Sequence, residues 1–281
     1  MINSNKMITT KLSLSQKEIH LWTTEPQSIV DGSTEIIDGE MSHCALLKQY
    51  QGLLTPDESM KQQRYKFAKD RHDALITRAF IRDLLSYYAD VQPSDWRFEK
   101  GEKDKPEIAN PVLPLRFNIS HTQNLIICAV TLAEDIGCDV ENTSRTNDVL
   151  SIADRYFSAD ETQALFALPS TQQRDRFFDY WTLKESYIKA WGLGLSIPLK
   201  DFSFTISPNK TAQTNGNISL AFAQHRVDDP TIWRSWLFYP NAQHRVAVSV
   251  RATHNNQAEN YTFRYFKSIP LVSCEEQKSL A

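Results

Sequence analysis

The four cysteines, Cys44, Cys128, Cys138 and Cys274, never stand in CxxC spacing, and none has a histidine at zinc-ligand spacing. That excludes a disulfide framework and a structural zinc site, and it fits a reducing compartment. Charge of one sign is also missing: 31 Lys and Arg against 34 Asp and Glu leave a net charge of only -3. No bulk field therefore points to nucleic acid, and any anion must be bound by a local cluster. No basic-then-apolar leader opens the chain, because Met1–Glu18 is polar, and the apolar run Leu125–Val130 is far too short to span a bilayer. There is no convincing internal repeat. With 41% hydrophobic and 23% charged residues over 281 positions, the expectation is a soluble, cytoplasmic globular protein. Its length suits two small domains or one large one.

Helical and strand-like segments mix in both halves. Ile19–Thr23 alternates like a strand, and Thr55-Pro56-Asp57-Glu58 reads as a helix start. The helical pattern that follows breaks near Lys69-Asp70 and resumes over Arg71–Tyr88. Pro106–Pro114 reads as a proline-punctuated connection, while Phe117–Ile119, Leu125–Leu132 and Ile136–Glu141 read as strands. Val149–Phe157 is a helix, and Ser158 starts another. Thr171–Gly192 is the longest helical stretch, with Gly192 as its stop and Gly194 close behind. Beyond Pro198 the chain turns strand-like, with Asn215-Gly216 as a hairpin signal and no motif in 251–281. This pattern predicts an α+β fold rather than a doubly wound sheet. The best boundary falls at Ala133-Glu134-Asp135, dividing 1–134 from 135–281.

Two segments carry the most chemistry. In IGCDVE, Asp139 and Glu141 lie two apart on a strand and so share a face. Two close carboxylates repel unless they are solvated or a cation neutralises them. An oxygen-only donor set suits magnesium, and the competing reading is a solvated strand face. In WTLKESYIKAWGLG, Glu185 and Lys189 stand four apart on one helix. As a surface salt bridge the pair contributes roughly 0.2–0.5 kcal/mol, but Trp181 and Trp191 argue against full solvation.

Ser120 and His121 close the strand FNISH. No G-x-S-x-G elbow surrounds Ser120, so a hydrolase nucleophile is excluded and the choice lies between a phosphate contact and a polar hairpin turn. Arg71, Arg78 and Arg82 fall near one helix face, a spacing that can clamp phosphates bidentately. Lys66, Lys69 and Arg82 read instead as a solvated face.

In order, DRHDALITRAFIRDLL, Lys105-Pro106, FNISH (117–121), IGCDVE (136–141), RYFSADE (155–161) and WTLKESYIKAWGLGLSIPL (181–199) resemble the 4'-phosphopantetheinyl transferases, specifically the larger, surfactin-type members. The resemblance covers roughly 55–200. It implies two similar α+β subdomains related by a pseudo-twofold, with a coenzyme A cleft between them. It implies an enzyme that moves the phosphopantetheine arm of coenzyme A to a serine of an acyl, peptidyl or aryl carrier protein, releasing adenosine 3',5'-bisphosphate. By the same resemblance Asp139, Glu141 and Glu185 ligate Mg²⁺, with Mn²⁺ as an alternative. Lys105, Pro106, Ser120 and His121 belong to the coenzyme A site, with Arg78 at its adenosine end. Lys189 neutralises or protonates the leaving phosphate, and Glu185 is the base, directly or through a metal-bound water. Glu161 has a supporting role. The implied partner is an apo carrier protein with an acidic amphipathic helix around its serine, met by a monomer, with no nucleic acid or membrane partner.

One departure stands out: Asp104 precedes Lys105 where members of this type often carry Gly, which leaves Lys103 as a substitute for Lys105. An apolar patch around Phe157, Leu165–Phe166 and Phe177–Phe178 is the expected carrier-docking surface. Two rivals remain: a magnesium-dependent phosphohydrolase acting on a nucleotide diphosphate, and a non-catalytic module that binds coenzyme A or a carrier.

Overall fold

A computed structural model describes residues 11–29, 36–37, 40–41, 45–101, 105–110, 113–146, 148–192, 196–207, 218–252 and 261–280. Cys44, Lys103, Asp104, Gly194 and the Asn215-Gly216 hairpin signal lie outside the described residues. In chain order the first half contains β1 (Glu18–Thr24), β2 (Ile36–Ile37), β3 (Glu40–Met41), α1 (Ala45–Leu53), α2 (Pro56–Gln63), α3 (Ala68–Ser86), β4 (Arg97–Lys100), β5 (Pro106–Asn110), β6 (Leu115–Thr122) and β7 (Leu125–Leu132). The second contains β8 (Asp135–Asn142), α4 (Ala153–Tyr156), α5 (Ala159–Phe166), α6 (Ser170–Trp191), β9 (Phe202–Ile206), β10 (Ile218–Phe222), β11 (Trp233–Asn241), β12 (His244–Arg251), β13 (Thr262–Ile269) and β14 (Ser273–Gln277). The architecture is α+β, as the mixed pattern predicts.

The larger sheet has the order β14-β13-β1-β7-β6, and a second runs β11-β12-β8. The continuous apolar run of β7 follows from burial on both faces. Ile126, Cys128 and Val130 join the core built with α3, while Leu125, Ile127 and Ala129 join a core shared with β8 and β12. Similarly, Ile136, Cys138 and Val140 of β8 face the larger sheet. The alternate residues of that strand, Gly137, Asp139 and Glu141, are thereby left to face α6. The described elements stack in four layers, helix, sheet, sheet and helix, and the acidic strand belongs to the second sheet, against α6.

The helix ends follow local rules. Thr55 and Ser158 each form a reciprocal capping box, with Glu58 and Glu161 respectively. Gly192 takes φ 75 and ends α6, a left-handed geometry that a side chain would strain. The break between α2 and α3 falls at 64–67, not at Lys69-Asp70. Arg82, expected on a solvated face, is instead 1% exposed. It bonds Glu58 Oε2 at 2.6 Å and ties α2 to α3, because its neighbours Ile81, Leu84 and Leu85 bury that part of the helix.

Residues 262–277 depart from the expected division at 134/135. β13 pairs in parallel with β1 and β14 pairs with β13, so this hairpin extends the first half's sheet. β5 likewise occupies a stretch expected to be a connection, and pairs with β4.

Asp83 on α3 is buried and accepts from the Leu271 backbone N–H, and burial pushes its carboxyl up to about 6. Its folded pKa lies above its unfolded one, so Asp83 detracts from stability above about pH 6, and that loss fades as pH falls toward the unfolded value. Asp83→Asn keeps the acceptor without the charge. It should raise stability by about 1–3 kcal/mol at pH 7.5 and by about half as much at pH 5. Urea titrations at the two pH values check this, and an equal gain at both would contradict it.

Candidate active site

Gly137 fixes the distance between β8 and α6. A Cβ built on it would lie 2.0 Å from Ser186 O and 2.3 Å from Ala190 N, so the helix backbone rests directly on the strand. Ser186 and Ala190 are the neighbours of Glu185 and Lys189, so this contact sets how closely those side chains approach Asp139 and Glu141. Gly137→Ala must push α6 outward, and a displacement near 1 Å can slow chemistry about a hundredfold. Steady-state kinetics beside a thermal melt should show lost turnover in a folded protein. An unchanged kcat would mean that the spacing is irrelevant.

On this frame Asp139, 4% exposed, holds the centre. Its Oδ1 accepts from Lys189 Nζ at 2.6 Å and from Ser120 Oγ at 2.9 Å, and Lys189 Nζ also reaches Ser120 Oγ at 3.0 Å. Val140 N donates to Ser120 Oγ at 3.4 Å, which pins the end of β6 to β8. Lys189 therefore turns to Asp139, and the surface salt bridge with Glu185 is not how it is used. Asp139 Oδ2 and Glu141 Oε2 are buried and accept no hydrogen bond. Arg145 Nη2 lies 2.9 Å from Glu141 Oε2, an attraction of charge without hydrogen-bond geometry.

The electrostatics bear the mark of crowded acids. Glu185 is pushed up to about 7, by burial first and then by Asp139, with Lys189 opposing. Glu141 is also pushed up to about 7 by burial and then by Asp139, against Arg145 and Lys189. Lys189 is held above its ordinary value because Asp139 outweighs the effect of its burial. Among the described residues, no three His, Cys, Asp or Glu side chains already stand close enough to hold a metal ion unaided.

Beside this cluster opens a cleft of about 770 Å³, lined by Lys69, Asp73 and Arg78 of α3, by Phe98 and Pro106, and by Phe117, Ile119, His121 and Thr122 of β6, among others. Arg78 and Pro106 are thus both on the wall of this cleft. His121 reaches the cleft mouth, yet the protein packed around its ring pulls its pKa down. Lys105 differs from expectation: its Nζ donates to Ile136 O at 3.2 Å and Ala190 O at 3.4 Å, bridging β8 to the end of α6. Carbonyls at a helix C-terminus draw such a cation.

One expectation is corrected. Phe157, Leu165, Phe177 and Phe178 are core residues packed with α6 and β9, and only Phe166, 49% exposed, reaches the surface. Their helical spacing reflects burial, so the proposed docking patch does not exist as a surface. Glu161 supports the fold: it forms a buried pair at 2.8 Å with Lys184, the residue before Glu185. The sequence carries Gly137 within IGCDVE without showing its packing role, and Arg145 is signalled only as a cation four residues after Glu141.

A family model described as the 4'-phosphopantetheinyl transferase superfamily matches residues 135–249, and one described as 4'-phosphopantetheinyl transferase, N-terminal, matches 43–133. The chain is 31% identical over 207 residues to the 4'-phosphopantetheinyl transferase HetI of Nostoc sp., a match covering 72% of this chain and 80% of that protein. It is 37% identical over 157 residues to the 4'-phosphopantetheinyl transferase Sfp of Bacillus subtilis, covering 56% of this chain and 68% of that one. To the L-aminoadipate-semialdehyde dehydrogenase-phosphopantetheinyl transferase of Mus musculus it is 27% identical, covering 75% and 71%. The solved holo-[acyl-carrier-protein] synthase of Thermotoga maritima aligns at TM-score 0.33 and 21% identity, covering 43% of this chain and 64% of that one.

Proposed function

The chain belongs to the 4'-phosphopantetheinyl transferase superfamily, and from that premise we propose a division of labour among its site residues. The reaction moves the 4'-phosphopantetheine group of coenzyme A to a serine hydroxyl of an apo carrier protein. The observation that carries the assignment is the knot of Asp139, Ser120 and Lys189, closed by contacts of 2.6, 2.9 and 3.0 Å between the two raised acids and the cleft.

Coenzyme A lies in the cleft that α3 and β6 wall beside the acidic strand, with its adenosine end toward Arg78 and its pyrophosphate beside Ser120 and His121. Glu185 takes the proton of the carrier serine as its oxygen bonds to the phosphorus of the pantetheine phosphate. The bond from that phosphorus to the bridging oxygen breaks, and its electron pair leaves with adenosine 3',5'-bisphosphate. Lys189, exchanging Asp139 for the leaving phosphate, meets the charge that develops there.

The donor set fits a hard cation: it is all oxygen, and Asp139 Oδ2 and Glu141 Oε2 are buried without hydrogen-bond partners. Asp139, Glu141 and Glu185 would hold Mg²⁺, which when bound neutralises the pyrophosphate and offsets the mutual repulsion of the acids. The test mixes the chain with coenzyme A and purified apo carriers, with EDTA and then with excess Mg²⁺. Labelling should stop with EDTA and return with Mg²⁺. Labelling that persists in EDTA would remove the metal, and cleavage of the pyrophosphate without any carrier would favour a phosphohydrolase.

A further inference from the structure

Arg145 joins the cleft to the acidic cluster. It stands on the turn after β8, four residues beyond Glu141, and its side chain lines the cleft wall. Its Nη2 lies 2.9 Å from Glu141 Oε2 and donates to Thr122 Oγ1 at 3.1 Å. The contact with Glu141 is one of charge alone, since that oxygen accepts no hydrogen bond. A guanidinium held at the cleft wall by one carboxylate and one hydroxyl can also meet an anion there, and its planar fork fits phosphate oxygens in pairs. The turn that carries it is braced from behind. Arg174 of α6 donates to Thr143 O at 3.2 Å and to Arg145 O.

Coenzyme A presents phosphate in two places, the 3'-phosphate and the pyrophosphate, and only the pyrophosphate is cut. The scissile bond must lie within reach of Glu185 and Lys189, at the cluster. The other lysine and arginines of the cleft, Lys69, Arg78 and Arg82, project from α3, whereas Arg145 adjoins Glu141 itself. We propose that Arg145 is a further substrate-binding residue, which leaves Glu141 to grip the 5'-phosphate of the coenzyme A pyrophosphate, the half that departs with adenosine. This rests on the function proposed above. The electron pair of the broken P–O bond ends on that departing phosphate, so the grip strengthens as the bond opens.

Calorimetric titration of Arg145→Ala and Arg145→Lys, in Mg²⁺ buffer, tests it with three probes. Coenzyme A and 3'-dephospho-coenzyme A should both bind about tenfold to a hundredfold more weakly to the Ala variant. 4'-Phosphopantetheine, which lacks the departing phosphate, should bind as to the wild type. Lys should recover part of the loss, because a point charge cannot bond in pairs. Arg145 is about half exposed, its side chain at 47%, so the fold should survive, as a thermal melt would verify. If the Ala variant melts early, the Lys variant carries the same comparison. A penalty that disappears with 3'-dephospho-coenzyme A would mean that Arg145 reads the 3'-phosphate, and the proposal falls. Unchanged cofactor affinity with a raised KM for the carrier would make it a docking residue and overturn the proposal equally. A wild-type chain that binds no coenzyme A would instead overturn the proposed function.

Discussion

Glu185→Gln should leave the chain folded and lower kcat for carrier modification by at least about a hundredfold. The substitution keeps size and shape on the inner face of α6 but removes both the proton acceptor and the negative charge. Without a bound cation, burial and then Asp139 raise Glu185 to about 7. Asp139→Ala should be at least as severe. It strips Lys189 Nζ of its 2.6 Å partner and Ser120 of its acceptor, so the knot that orders the site comes undone. Steady-state labelling of an apo carrier, with thermal melts as a fold control, measures both. A normal rate in either variant would sink the assignment of these acids.

Lys184→Met should destabilise the fold by about 3–5 kcal/mol without touching the chemistry directly. Lys184 and Glu161 are each 0% exposed in their side chains and pair at 2.8 Å. The Lys184 ammonium also donates to Leu199 O and Phe202 O, each at 2.7 Å, and lies over the Phe202 ring. Glu161 in turn accepts from Ser158 N at 2.9 Å and Phe204 N at 2.8 Å. The pair thus fastens α5, α6 and β9 together. Removing one partner leaves a buried charge without its counter-ion, whereas Glu161→Gln combined with Lys184→Met should lose less than the sum of the two single losses. Urea unfolding of the two single variants and the double variant measures this. Single losses below about 1 kcal/mol would show the pair to be dispensable.

The contrast between Lys184 and Glu185, adjacent in one motif, shows what the sequence made legible and what it did not. The helix over 170–191, its stop at Gly192 and the shared face of Asp139 and Glu141 were readable because each depends on local periodicity or a local cap. That Lys189 shares a helix face with Glu185 was readable from their spacing; that it turns to Asp139 was not, because the packing of α6 on β8 through Gly137 decides it. The parallel pairing of β13 with β1 joins residues more than two hundred positions apart, and no local pattern signals it. Phe157, Phe177 and Phe178 misled for the opposite reason: an apolar stripe on a helix marks a buried face before it marks a docking face. Arg82 misled as an isolated charge whose partner, Glu58, lies on another helix. Arg145 was missed because no periodic element carries it.

Intact-mass measurement of a single turnover tests the central claim most directly. Apo carrier, coenzyme A and Mg²⁺ are mixed with the wild-type chain, and the carrier mass and the released nucleotide are followed together. The carrier should gain the mass of one phosphopantetheine arm, confined to one serine, with one adenosine 3',5'-bisphosphate released for each carrier modified. No mass gain on any of several folded apo carriers, or nucleotide released without it, would contradict a transferase built on Asp139, Glu141, Glu185 and Lys189.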